Sequence, residues 1–153
     1  PQGAAYAFIG TLIGCFLRFA WGPLCDRFGG AIWTFVSAIG MAVTMAWCGY
    51  LVAAADDPAD FTIFMVALLA MFFFAGVGNA STFKQMPMIM PKRQAGGAIG
   101  FTAAVASLGP FLVGIALTLM PTHVFFYSCA VFCVLCAVIC WVRYAKPGAK
   151  RPG

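Results

Sequence analysis

Five stretches of the chain are apolar around their whole circumference, and short polar breaks separate them. They cover about residues 4–25, 31–54, 61–83, 95–119 and 122–144. Each is close to the about 20 residues a helix needs to cross a bilayer. None shows the single apolar stripe of a helix lying on a soluble core. None alternates apolar and polar residues with the period of two that a membrane barrel strand requires. The pattern predicts an all-α, polytopic membrane helix bundle of five transmembrane helices. The breaks are expected at Asp26 to Gly30, Asp56 to Asp60, Lys84 to Gln94 and Met120 to Thr122. Residues 1–145 then form the bundle and 146–153 a basic tail, with no length left for an extramembrane domain.

Composition sharpens this. The 153 residues are 63% apolar and 8% charged, against roughly 45–50% and about 25% in a soluble domain. An ordinary water-soluble enzyme is excluded. The net charge of +5 comes from nine Lys/Arg against four Asp, too sparse for a nucleic-acid footprint. Pro1 stands where Met is usual, so a processed protein or a piece of a longer one is expected, without a cleavable signal peptide.

The few charges orient the bundle, because cytoplasmic connections collect Lys and Arg. Arg27 follows the first span, Lys84, Lys92 and Arg93 the third, and Arg143, Lys146, Lys150 and Arg151 the fifth. The other connections hold Asp56, Asp57 and Asp60, or His123 alone. The start of the chain is therefore expected outside and its end in the cytoplasm. If both ends of a longer protein are cytoplasmic, an odd number of helices precedes this chain.

Arg18 is the most informative residue. It lies about seven residues inside the first span, about 10 Å deep, where a cation is costly. Gly10, Gly14 and Gly22 recur with it every four residues on one face, as Gly96, Gly100 and Ala104 do in the fourth span. Such small-residue stripes let helices approach closely. No acid lies at membrane depth to neutralise Arg18. Its planar fork suits a planar oxyanion by bidentate hydrogen bonding. The alternatives are an ion pair with a helix outside this chain, or snorkelling to the interface.

A second cluster is Gly76-Val77-Gly78-Asn79-Ala80-Ser81-Thr82-Phe83-Lys84. The glycines permit close approach, and Asn79, Ser81 and Thr82 supply neutral donors. A polar helix end with hydroxyls bonded back to its own turn is the plainer reading. Lys84 can join an anion path or serve topology alone. Gly22-Pro23-Leu24-Cys25-Asp26-Arg27-Phe28-Gly29-Gly30 closes the first span with a sharp turn, placing Asp26 to cap a neighbouring helix N-terminus. Gly22, Asp26, Arg27 and Gly30 are thus candidates for a conformational latch. Gly109-Pro110 is expected to kink the fourth span.

That loop resembles the signature after the second helix of each six-helix half in the major facilitator superfamily. Ala75 to Phe83, followed by Pro91-Lys92-Arg93-Gln94-Ala95-Gly96-Gly97-Ala98-Ile99-Gly100, is similar to the glycine-rich signature of its nitrate/nitrite porters. The resemblance implies helices eight to twelve of a twelve-helix transporter, in a bacterial inner membrane, working by alternating access. It implies that Arg18, Gly76, Gly78, Asn79, Ser81 and Thr82 bind nitrate or nitrite, with a second Arg supplied by the N-terminal half of the same protein. No acid or His is placed inside a span as a proton relay, which favours nitrate/nitrite exchange over proton symport. An organic-anion carrier and a non-transporting membrane scaffold are the other readings. No enzyme activity, cofactor or metal is expected. Cys129, Cys133, Cys136 and Cys140 form one stripe, but a straight helix cannot wrap four sulfurs around one zinc.

Overall fold

A computed structural model of the chain describes residues 2–54 and 60–148, and side chains from residue 8 onward. Asp56, Asp57, Lys150 and Arg151 lie outside the described residues. Gly22-Pro23 breaks the first apolar stretch into α1 (Gln2–Ala20) and α2 (Gly22–Phe28). Pro23 has no N–H to give the carbonyl four residues earlier, and its ring crowds that carbonyl. The axis bends by 45° there, so the stretch expected at about 4–25 is a broken span. The expected loop from Asp26 is also shorter, because α2 runs to Phe28.

The reversal falls on Gly29 alone, at φ 85° and ψ 143°, a conformation that essentially only glycine adopts. Gly29→Ala is therefore expected to cost about 1–3 kcal/mol, read as a lower thermal midpoint of the solubilised protein. An unchanged midpoint contradicts the strain.

Helices α3 (Gly30–Ala54) and α4 (Asp60–Ile89) follow. The fourth stretch is split at Leu108 into α5 (Lys92–Ser107) and α6 (Gly109–Leu119), where Gly109-Pro110 was expected to act. Helix α7 (Thr122–Cys140) ends in one π-helical turn, Trp141–Ala145. Four stretches are long and apolar enough to cross a membrane, and five with the bent α1–α2 pair. No strand occurs among the described residues. Helix α4 outruns its expected end at Phe83 by six residues, leaving only Met90 and Pro91 between it and α5.

Helix α3 is the centre, packed against α4 on one side and α7 on the other, while α1 packs on α4. Cys48, Ala67 and Phe126 form the buried core where α3, α4 and α7 meet. The α7 cysteines are free thiols. Cys133 Sγ lies 3.9 Å from Met45 Sδ, and Cys140 Sγ donates to the Ala31 carbonyl at 3.4 Å. Cys133 and Cys140 thus pack against α3.

The two small-residue stripes part company. In α1, Gly10 lies under the Phe72 ring, and a Cβ on Gly76 would stand 3.0 Å from the Gly14 backbone. In α5, Gly96 and Gly100 face open space. Among the described elements, the α5–α6 stretch touches its chain neighbours α4 and α7 alone.

Candidate functional site

Helix α4 carries two working faces, and helical arithmetic separates them. Residues three or four apart share a face, while residues two apart lie about 200° apart. Phe72, Gly76, Asn79 and Phe83 turn to α1: Phe72 over Gly10, Gly76 on Gly14, and Asn79 and Phe83 on Arg18. Phe74, Gly78, Ser81 and Gln85 turn to α3, meeting Gly40, Ser37, Thr34 and Gly30.

On the first face, Arg18 Nε donates to Asn79 Oδ1 at 2.8 Å. Its Cζ stands 5.7 Å from the centroid of the Phe83 ring, within the reach of a cation–π contact. Both interactions hold the guanidinium by its inner edge and face. The two Nη groups donate to nothing among the described residues, and no carboxylate there pairs with Arg18. The Asn79 amide nitrogen carries two further donors, which are also unused among the described residues. The result is a cluster of donors around one fixed positive charge.

Two clefts open from this pair. One, of about 270 Å³, is lined by Arg18, Gly22, Asn79, Ala80, Phe83 and Lys84. The other, of about 220 Å³, runs along Gly10, Thr11, Gly14, Cys15, Phe72, Ala75 and Gly76 to the same Arg18 and Asn79. Arg18 and Asn79 thus stand between two hollows in the α1–α4 groove. Each exceeds several times over the about 30 Å³ that one molecule of liquid water takes.

The remaining expected residues distribute differently. Gly76 lines the second cleft and seats α1. Ser81 is fully buried on the α3 face. Its hydroxyl donates to the Gly78 carbonyl at 3.0 Å and lies 3.0 Å from Thr34 Oγ1. It therefore stands apart from Arg18, two residues and about 200° from Asn79. Gly78 likewise seats Ser37, whose Oγ would be 2.7 Å from an added Cβ. Thr82 is half-buried and lines neither cleft.

Among the described residues, no helix N-terminus donates to Asp26. Both its carboxylate oxygens accept from Lys84 Nζ at 2.9 Å, which ties α2 to α4. Gly22 is buried beneath the Lys84 stem, and Gly30 packs against the Ser81 carbonyl and Gln85. Arg27 is exposed, with no ion pair among the described residues. The stacking of Phe83 on Arg18 is the contact that sequence reasoning missed. Its signal was the four-residue step from Asn79 on a face that already held the Arg.

The chain matches the family model described as Major Facilitator Superfamily over residues 2–153. It is 49% identical over 160 residues to a probable nitrate/nitrite antiporter, NarK2, of Thermus thermophilus, covering 99% of this chain and 35% of that protein. It is 26% identical over 172 residues to the nitrate/nitrite transporter NarU of Salmonella typhimurium, covering 95% of this chain and 37% of that one. For NarU of Escherichia coli K12 the identity is 25% over 166 residues, with 92% and 36% covered. The chain spans about a third of the length of these relatives.

Proposed function

Because this chain belongs to the major facilitator superfamily and is an integral membrane helix bundle, we propose that it is part of a nitrate/nitrite transporter. The observation that carries the proposal is Arg18, set inside a span and fixed by Asn79 and Phe83, with its outward donors unused. A small oxyanion satisfies those donors, and the neutral amide of Asn79 holds it without a second permanent charge. Its likeness to relatives named as nitrate/nitrite transporters supports that choice of anion.

In this reading the chain supplies helices eight to twelve, with its end in the cytoplasm of a bacterial inner membrane. The rest of the transporter closes the α1–α4 groove and covers α5–α6. The two halves rock about the site, so that access alternates between the two sides. Arg18, Asn79 and the Gly76 seat form this chain's share of the site. Gly22 and Asp26 hold α2, and Gly30 the start of α3, against α4 in one conformation, and Arg27 stays at the surface beside them. No bond is made or broken. Exchange is favoured over proton symport because Asp26, Asp60 and His123 stand at the ends of their spans, and none of the described acids or His lies mid-span as a relay.

The test is nitrate uptake into proteoliposomes containing the full-length transporter. Nitrite inside the vesicles is expected to accelerate uptake, and an inward proton gradient to leave it unchanged. Acceleration by the proton gradient alone overturns exchange, and no uptake of either anion overturns the proposed substrate. Within this test, Asn79→Ala is expected to raise the nitrate KM about three- to tenfold, the worth of about 0.5–1.5 kcal/mol. Ser81→Ala, on the other face, leaves KM unchanged and lowers the thermal midpoint instead. The reverse pattern would move the site to the α3 face.

A further inference from the structure

We infer that Lys84 is a second oxyanion-binding position on the path to Arg18, and that the Asp26 carboxylate occupies it when no substrate anion is there. The inference rests on the proposed transport of a small oxyanion and extends it to a residue outside the Arg18 pair.

Three observations meet here. First, Lys84 and Arg18 wall the same cleft of about 270 Å³, so an anion entering by that mouth meets both cations. Second, Asp26 presents two oxygens to Lys84 Nζ at 2.9 Å each. A carboxylate is a planar O–C–O group, and nitrate and nitrite offer the same planar O–N–O pair. The Lys84 position therefore already accepts the shape and charge of such an anion, with a side chain of the chain itself standing in. Third, the pair is open to exchange. The Lys84 and Asp26 side chains keep 47% and 58% of their surface exposed, and exposed pairs are worth at most about 1 kcal/mol. An anion at ordinary concentration can displace so weak a partner, whereas a buried pair would resist it.

Gly22 makes the arrangement possible. It is buried in the cleft wall, and an added Cβ would lie 3.9 Å from Lys84 Cε. The Lys84 stem crosses this bare backbone to reach Asp26. Lys84 stands five residues beyond Asn79 on α4, about 7.5 Å along the axis, so the two positions form successive stations. An anion passing from Arg18 to Lys84 frees Asp26, and the loss of the anion restores the ion pair.

The sign of two substitutions tests this. In full-length transporter in proteoliposomes, Asp26→Asn removes the competing carboxylate, and nitrate KM is expected to fall about two- to fivefold. Lys84→Met removes the second position, and KM is expected to rise by a similar factor. In the Lys84→Met background, Asp26→Asn is expected to have no further effect on KM. If the pair is a mechanical tie alone, both substitutions break it equally and shift KM in the same direction, which overturns the inference. Unchanged KM in both also overturns it. Lys84→Arg keeps the charge and is expected to retain wild-type KM; a rise equal to that of Lys84→Met contradicts an anion-binding role. Failure of the underlying reading is separate: it shows as wild-type nitrate uptake in Arg18→Lys, whatever the Lys84 variants do.

Discussion

Arg18→Lys is expected to lower nitrate uptake by the full-length transporter about 10- to 150-fold while leaving the protein folded. Lysine keeps the positive charge, so a loss isolates what the guanidinium adds. That addition has three parts, two of them seen in the structure: Nε holds Asn79 Oδ1 at 2.8 Å and the planar face rests over Phe83. The third is the proposed one, two Nη groups on one oxyanion together. An ammonium is a point charge that cannot do all three at once. Hydrogen bonds to a charged group are worth about 1.5–3 kcal/mol, which sets the fold-change. The measurement is the initial rate of uptake, with size-exclusion behaviour and thermal midpoint as folding controls. If Arg18 only paired with a carboxylate elsewhere in the transporter, lysine would serve, and uptake near wild type would show that.

Gly30→Ala is expected to cost about 1–3 kcal/mol by overpacking and to reduce transport with it. A Cβ there would stand 2.8 Å from the Ser81 carbonyl oxygen and 3.0 Å from the Gln85 backbone nitrogen. These are backbone atoms inside α4, which cannot swing aside as a side-chain tip can. The whole α2–α3 turn must retreat from α4. That strains the contact of Thr34 with Ser81 and the reach of Lys84 to Asp26 together. The thermal midpoint of the solubilised transporter reads the first effect and uptake the second. A midpoint equal to wild type would mean that the turn can shift freely and does not register α3 on α4.

How far the sequence carries depends on what each signal measures. Hydropathy marks where the chain is apolar enough for lipid, and polarity and a helix boundary coincide at the starts of α3, at Gly30, and α7, at Thr122. In α4 they do not. Lys84, Gln85 and Met86 are good helix formers, so the helix continues to Ile89 past the point where the apolar run stops. Thirty residues span about 45 Å, more than the about 30 Å of a hydrocarbon core. Polarity there marks an exit from lipid, not the end of a helix.

The site divides in the same way. Arg18 and Asn79 stand out as polar residues in apolar surroundings, and the fold brings them within a hydrogen bond of each other. Ser81 was grouped with them by nearness in sequence, which ignores the turn of the helix. Counting 100° per residue sends it to α3 and brings Phe83 to Arg18 instead. The Lys84–Asp26 pair was beyond such counting. It joins residues 58 apart, and only the bend at Gly22-Pro23 brings α2 back across α4.

The most direct test of the central claim is to locate the anion in a structure of the full-length transporter with nitrate bound. A planar anion is expected about 2.7–3.2 Å from the Arg18 Nη groups and the Asn79 amide nitrogen. A carboxylate of the protein in that place, with nitrate elsewhere or absent, would contradict it.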